Sequence, residues 1–234
     1  MIKVTYRQHC GDDLMVVDAA RVSFAKQSEW EWSDEEGATN YTFANGDGKI
    51  CLKLSDRDTK LIRFLARENH KSPFNHTFIT MHVKAPVFVA RQLVKHEYMP
   101  WNEVSRRYVD TDIDLYQPQD WRARSSDKKQ GSGDSMDLSV YAETSYEEAW
   151  RATLRAYQHL LDAGVCPEQA RMILPASLMT EWYWSGTLFA WAKMCGLRLK
   201  DDTQYETRLV AEQAEDIISE LFPVSWEALR MYAE

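Results

Sequence analysis

Nine residues from Thr77 to Ala85 alternate with a period of two. Thr77, Ile79, Met81, Val83 and Ala85 fall on one side; Phe78, Thr80, His82 and Lys84 fall on the other. Successive strand side chains point to opposite faces, so this segment is a strand whose sheet has one apolar and one polar face. Pro86 ends the strand and sits without penalty in the first turn of a helix, where its missing N–H is not needed. That helix is expected from about Val87 to His96. An apolar sheet face must be covered, and the sequence offers the cover. Ser55, with Asp58 three residues on, caps a helix with the stripe Leu61, Phe64, Leu65 and Ala66. Ser145 and Glu148 form a capping box ahead of Trp150, Leu154, Tyr157 and Leu161, with Gly164 as the stop. Thr203 and Glu206 open a third helix, striped by Val210, Ala214, Ile217 and Leu221. Trp184 to Cys195, ended by Gly196, reads as a buried helix, and Trp182, Tyr183, Trp184 and Trp191 read as core. The polar stretches Ser33 to Asp47 and Arg122 to Asp137 read as loops. The expected fold is α+β: a mixed or antiparallel sheet flanked by long helices, one domain over residues 1–234.

A net charge of -8 argues against a general nucleic-acid coat, yet leaves room for a local cationic pocket. Nothing approaches the roughly 18 apolar residues of a membrane span, and Met1 to Tyr6 lacks the apolar run of a signal peptide. Cysteines stand at 10, 51, 166 and 195, with no CxxC pair. A reduced cytoplasmic protein with no metal site is the reading. His70 and His76 flank a turn but lack a third ligand and a carboxylate partner. A nucleophile elbow, a P-loop and a G-x-G-x-x-G turn are all missing.

The segment Arg91 to Tyr108 concentrates cations, a histidine, two carboxylates, amides and a hydroxyl. Lys95, Arg106 and Arg107, with Arg171 and Arg198 further on, are candidates to hold a phosphate, because guanidinium forks match phosphate oxygens. Gln92, Asn102 and Ser105 can read the edge of a base, and Glu103 can accept from a ribose hydroxyl or a ring N–H. The alternative is a solvated helix end with surface ion pairs, each worth only ~0–1 kcal/mol.

The same segment resembles the signature of the flavin-dependent thymidylate synthases. There an Arg-His-Arg triplet is followed after seven residues by the serine of Asn-Glu-x-Ser-x-Arg-Tyr, and Asn102, Glu103, Ser105, Arg107 and Tyr108 fit in register. Ala19 to Phe24 is similar to the family's N-terminal strand motif, His70 to His76 to its flavin-side turn, and His82 to Gln92 to a family consensus. Lys129 to Ser132 resembles a loop motif; Gln169 to Pro175, Leu197-Arg198 and Gln204-Tyr205-Glu206 resemble substrate motifs. The resemblance implies an enzyme that makes dTMP from dUMP with methylenetetrahydrofolate and reduced FAD, with NADPH supplying electrons, in a homotetramer whose sites lie between subunits. It implies that Gln92, Lys95, Glu103, Ser105, Arg106, Arg107, Arg171 and Arg198 surround the nucleotide. Arg198 would polarise the pyrimidine and Ser105 would orient it, since no base activates that hydroxyl. His70, Ser72, Asn75, Lys95, His96, Glu97, Glu103, Thr187 and Lys193 fall at positions near flavin or folate.

The triplet here is Lys95-His96-Glu97, and Thr187, Phe189 and Lys193 replace the family's usual Asn, Arg and Asn. One reading is a re-wired flavin pocket in which Glu97 and Lys193 form a new ion pair. A second is weakened or lost flavin use, with dCMP or dUMP taken to a methyl or hydroxymethyl product. A third is a non-catalytic nucleotide-binding homologue.

Overall fold

The computed structural model describes residues 1–33, 41–45, 48–126 and 131–232. In chain order the elements are β1 (Lys3–Cys10), α1 (Asp13–Arg21), β2 (Glu31–Trp32), β3 (Tyr41–Asn45), β4 (Gly48–Lys53), α2 (Asp56–Arg67), β5 (Phe78–Pro86), α3 (Val87–Leu93), β6 (Trp101–Glu103), β7 (Trp121–Arg122), β8 (Ser135–Met136), α4 (Val140–Asp162), α5 (Pro167–Ala170), β9 (Met179–Thr187), α6 (Leu188–Arg198), α7 (Tyr205–Leu221) and α8 (Pro223–Tyr232). Three 3-10 turns lie at Val22–Phe24, Pro73–His76 and Arg171–Ile173.

The main sheet has the order β1-β5-β9-β6, and every pairing is antiparallel. Strand β5 has the expected polarity: Thr77 and the inward Ile79, Met81, Val83 and Ala85 are fully buried, while Thr80, His82 and Lys84 are half-buried on the other face. There His82 meets Glu181 at 3.2 Å, and the hydroxyls of Thr80 and Ser185 lie 2.9 Å apart. Helices cover the apolar face, and one continuous core runs from Ile2 to Leu229. Asp13 is buried beneath that layer, where its carboxylate accepts from the N–H groups of Val224 and Ser225, both at 2.9 Å, and so caps α8. No helix of the described residues is long and apolar enough to cross a membrane.

Several local expectations are corrected. Trp184 to Thr187 is strand, and helix begins only at Leu188 and runs through Gly196 to Arg198. The cause is alternation: Thr180, Trp182, Trp184 and Gly186 point inward while Tyr183 is exposed, as a strand paired on both sides requires. The packing over Gly186 is tight: a Cβ would stand 3.1 Å from Met99 Cε and 3.4 Å from Trp191 Nε1. Helix α4 starts at Val140, capped by Ser139. Ser145 lies inside it, its hydroxyl donating to the Tyr141 carbonyl at 2.8 Å, and only Tyr157 of the expected stripe is fully buried. Gly164, at φ +86, does follow the helix end.

Ser55 caps α2 as expected, but Ile62, Leu65 and Ala66 carry its buried face and Phe64 is exposed. Among the described residues, helix α7 has no side-chain cap. The Thr203 hydroxyl donates to the Leu197 carbonyl, Glu206 is drawn inward by a cation, and the buried stripe is Val210, Ala214 and Ile218. Helix α3 stops at Leu93, one turn short of His96. Ala19 to Phe24 is helical and 3-10, not strand. The two expected loops carry strands: β3, in the first, pairs with β4 just beyond it, and β8, in the second, pairs with β7 at its start. Residues 34–40, 46–47 and 127–130, including Lys129 and Gln130 of the loop motif, lie outside the described residues.

Candidate active site

A cleft of about 1020 Å³ opens beside β6, with Arg91, Glu103, Ser105, Arg106, Arg107, Arg171 and Thr180 among its lining. Its base is rigid because Trp101, opposite Trp184 in the β6–β9 ladder, stacks on Trp182 with centroids 4.3 Å apart. Glu103 is fixed at both oxygens: one accepts from the Thr180 hydroxyl at 2.8 Å, the other from the Trp101 indole N–H at 3.2 Å. The chain then turns, with the Tyr108 N–H reaching the Ser105 carbonyl at 3.0 Å. Arg106 holds the following loop, donating to the carbonyls of Thr111 at 2.6 Å and Asp112 at 3.2 Å. Arg107 lies over the Tyr108 ring, 5.0 Å from its centroid, and its Nε–H approaches the Ser105 hydroxyl at 3.4 Å. Ser105 Oγ accepts from Arg107 on both sides and keeps its own proton to donate. Across the cleft, the Arg171 Nε–H donates to the Glu168 carbonyl at 3.3 Å, the one bond its guanidinium makes among the described residues. Four arginines face two glutamates, Glu103 and Glu168, so the cleft is cationic in an acidic chain and suits a phosphate.

Arg198 does not line this cleft. It lies at the end of α6, where its Nε–H donates to His96 Nε2 at 3.0 Å and its terminal nitrogen donates to the Gln92 carbonyl at 3.0 Å. Burial, then the Arg198 charge, then Lys193 push the His96 pKa from 6.5 to about 4, so the ring is neutral and Nε2 is free to accept. Burial also lowers the pKa of Arg198, which nonetheless stays charged. The Gln92 amide continues inward: its Nε2 donates to Gln204 Oε1 at 2.5 Å, and Gln204 Nε2 donates to Glu206 at 3.1 Å. Glu206 pairs with Arg122 at 2.5 Å, and Arg122 reaches the Ser132 hydroxyl at 2.8 Å. Arg122 carried no signal in the sequence; Gln204 and Glu206 stood out only as part of a motif. Lys95, Glu97 and Lys193 are exposed nearby, and no Glu97–Lys193 ion pair forms among the described residues.

A third group gathers where the Pro73–His76 turn meets the start of α6. The Thr187 hydroxyl accepts from the Ala190 N–H at 3.2 Å and donates to Asn75 Oδ1 at 2.7 Å. Lys71 lies over the Phe189 ring, and His70 packs edge-on to Phe64. His70, Ser72 and Asn75 are exposed. One chain therefore carries an arginine cleft, an Arg198–His96–Gln92 cluster and a polar rim; α3 joins the first two through Arg91 and Gln92, and α6 joins the last two.

The profile of a family described as thymidylate synthase complementing protein matches residues 6–224. A flavin-dependent thymidylate synthase of Kosmotoga olearia is 35% identical over 227 residues, covering 95% of this chain and 87% of that protein. One of Thermus thermophilus is 34% identical over 218 residues, covering 93% and 72%. Among solved structures, the UMP/dUMP methylase PolB from Streptomyces cacaoi with 5-Br dUMP superposes at TM-score 0.77 and 30% identity, covering 99% of this chain and 96% of that one. With 5-Br UMP the same enzyme gives 0.79 and 29%, covering 99% and 95%.

Proposed function

Because the chain belongs to the thymidylate synthase complementing protein family, that of the flavin-dependent thymidylate synthases, we propose that it is a methyltransferase that converts dUMP to dTMP with methylenetetrahydrofolate. The observation that carries this reading is the division of the polar groups: a cationic cleft shaped for a phosphate, and a charged Arg198 held beside a neutral imidazole. Arg107 and Arg171 grip the phosphate and Ser105 donates its proton to the nucleotide. Arg198 opposes negative charge that builds on the ring as C5 becomes nucleophilic, and its two fixed hydrogen bonds mean no reorientation is needed at that moment. Since Arg198 lies outside the cleft, the site closes when a second copy brings its Arg198 cluster to the first copy's cleft, in a homotetramer.

The polar rim fits a flavin dinucleotide. His70, Ser72, Asn75, Thr187 and neutral His96 offer donors and acceptors to a ring edge, and Lys71, Lys95 and Lys193 offer charge to a pyrophosphate. Flavin, when bound there, supplies the hydride that completes the methyl group, with NADPH as the electron source. Cys10, Cys166 and Cys195 are free, which suits the reducing cytoplasm.

The test offers the protein dUMP, UMP and dCMP with methylenetetrahydrofolate, with and without FAD and NADPH, and identifies products by mass. dTMP that requires both FAD and NADPH is expected. A hydroxymethyl product, or a methylated dCMP formed without FAD, overturns the flavin route; no product from any nucleotide overturns the reading. For the shared site, Arg171→Ala and Arg198→Ala are mixed as subunits and assayed at dUMP well below the raised KM of Arg171→Ala, where each variant alone is nearly silent. Random pairing restores about a quarter of the sites, whereas sites contained in one chain stay silent.

A further inference from the structure

Glu206 is 3% exposed, and an ionised carboxylate only accepts. One oxygen is taken by Arg122 at 2.5 Å; the other faces Gln204 Nε2 at 3.1 Å. The Tyr116 phenol beside it keeps its proton, pushed up to about 12 by burial and then by the Glu206 charge. Gln204 therefore has no choice of rotamer. Its NH₂ must face the carboxylate, and its oxygen must face Gln92. Gln92 in turn must give its own NH₂ to that oxygen, at 2.5 Å. Among the described residues this leaves Gln92 Oε1 and one remaining N–H uncommitted, and the Gln92 backbone carbonyl is the group that Arg198 grips at 3.0 Å. The amide chain thus ends on the residue whose backbone is held by the arginine assigned to the pyrimidine.

Resting on that assignment, we propose that Glu206 and Gln204 are positioning residues that set base specificity: through a one-way chain of amides they fix Gln92 as an acceptor toward N3 of the base and a donor toward O4. Uracil carries an N3–H donor and an O4 acceptor, and meets both. Cytosine carries a bare N3 acceptor and an N4 amine donor, and meets neither. Neither residue touches the nucleotide. Glu206 acts through Gln204, and Gln204 through Gln92.

The experiment measures the affinities of dUMP and dCMP by calorimetry, without folate or turnover, in the wild-type protein, Gln204→Met and Glu206→Gln. Gln204→Met cuts the chain while leaving the Glu206–Arg122 pair intact, so it tests the idea even where Glu206→Gln destabilises the fold. The wild type should prefer dUMP, and Gln204→Met should lose about tenfold of that preference, chiefly by weaker dUMP binding with dCMP unchanged. Glu206→Gln, whose amide accepts or donates, should relax the preference in the same direction. A merely structural role lowers both affinities equally. Equal losses, or an unchanged ratio in Gln204→Met, overturn this proposal alone; a wild-type protein that binds neither nucleotide overturns the functional reading with it.

Discussion

Acidification should weaken this fold through His96. In the folded chain its Nε2 accepts from the Arg198 Nε–H at 3.0 Å, so a proton added there sets two donors face to face. Burial and the charges of Arg198 and Lys193 all act against that proton, holding the pKa at about 4 against 6.5. Between those two values the unfolded chain binds a proton that the folded chain refuses. Stability therefore rises with pH in this window: the contribution is complete above pH 6.5 and lost as pH falls toward 4. A ring wholly shielded from water would be linked to roughly 3.4 kcal/mol. His96 is only partly buried, so screening reduces this to about 1–2 kcal/mol. Many carboxylates titrate in the same range, so the assay is a difference. Urea unfolding of the wild type and of His96→Gln is followed at pH 7, 5.5 and 4.5. Glutamine accepts from Arg198 through its amide oxygen but does not titrate. The wild type should lose about 1–2 kcal/mol more than the variant between pH 7 and 4.5. A difference that stays flat across the series would refute the argument, as would a His96 ring that titrates near 6.5 by NMR.

Arg171→Ala should raise the KM for dUMP about 10- to 100-fold with kcat little changed, since a phosphate grip stabilises ground and transition states alike; deoxyuridine, which has no phosphate, should not discriminate the variant from the wild type. Ser105→Ala should cost about 10- to 100-fold in kcat/KM, the loss of one oriented hydrogen bond; a loss beyond about 10⁴-fold would show the hydroxyl to be a nucleophile. Asp13→Ala should destabilise the fold by about 2–4 kcal/mol in chemical denaturation, because the buried N–H groups of Val224 and Ser225 lose their acceptor. Activity per folded molecule should be unchanged.

The strand at Phe78–Pro86 was legible because its period of two is unbroken and Pro86 marks its end. The neighbouring strand was not, because its aromatic end, Trp182 to Trp184, leads through only Ser185-Gly186-Thr187 into a largely apolar helix, and Trp184 to Cys195 reads as one buried segment. A strand that carries an aromatic residue on its outer face, Tyr183 here, looks as continuous as a buried helix. Pairing with β5, which runs to Thr187, separates the strand from the helix that follows. Capping failed for a related reason. Ser145 and Glu148 satisfy a local rule, but the helix had already begun at Ser139, and a serine within a helix turns back to the preceding turn. The Asp13 cap of α8 spans more than 200 residues, and no local pattern announces such a contact.

The site was legible in its residue types and not in its grouping. Arg171, Arg198 and Ser105 carry chemistry that stability gives little reason to retain, and so they stand out one by one. Sequence order has no means of saying that Ser105 and Arg171 share a cleft while Arg198 turns to His96 and Gln92. Arg122 shows the limit most plainly. It lies in a polar stretch that reads as loop, yet its guanidinium neutralises the one buried carboxylate that orders Gln204 and Gln92. A buried carboxylate without a cation costs several kcal/mol. Glu206, inside an otherwise apolar helix face, was thus the only hint that a distant arginine had to arrive.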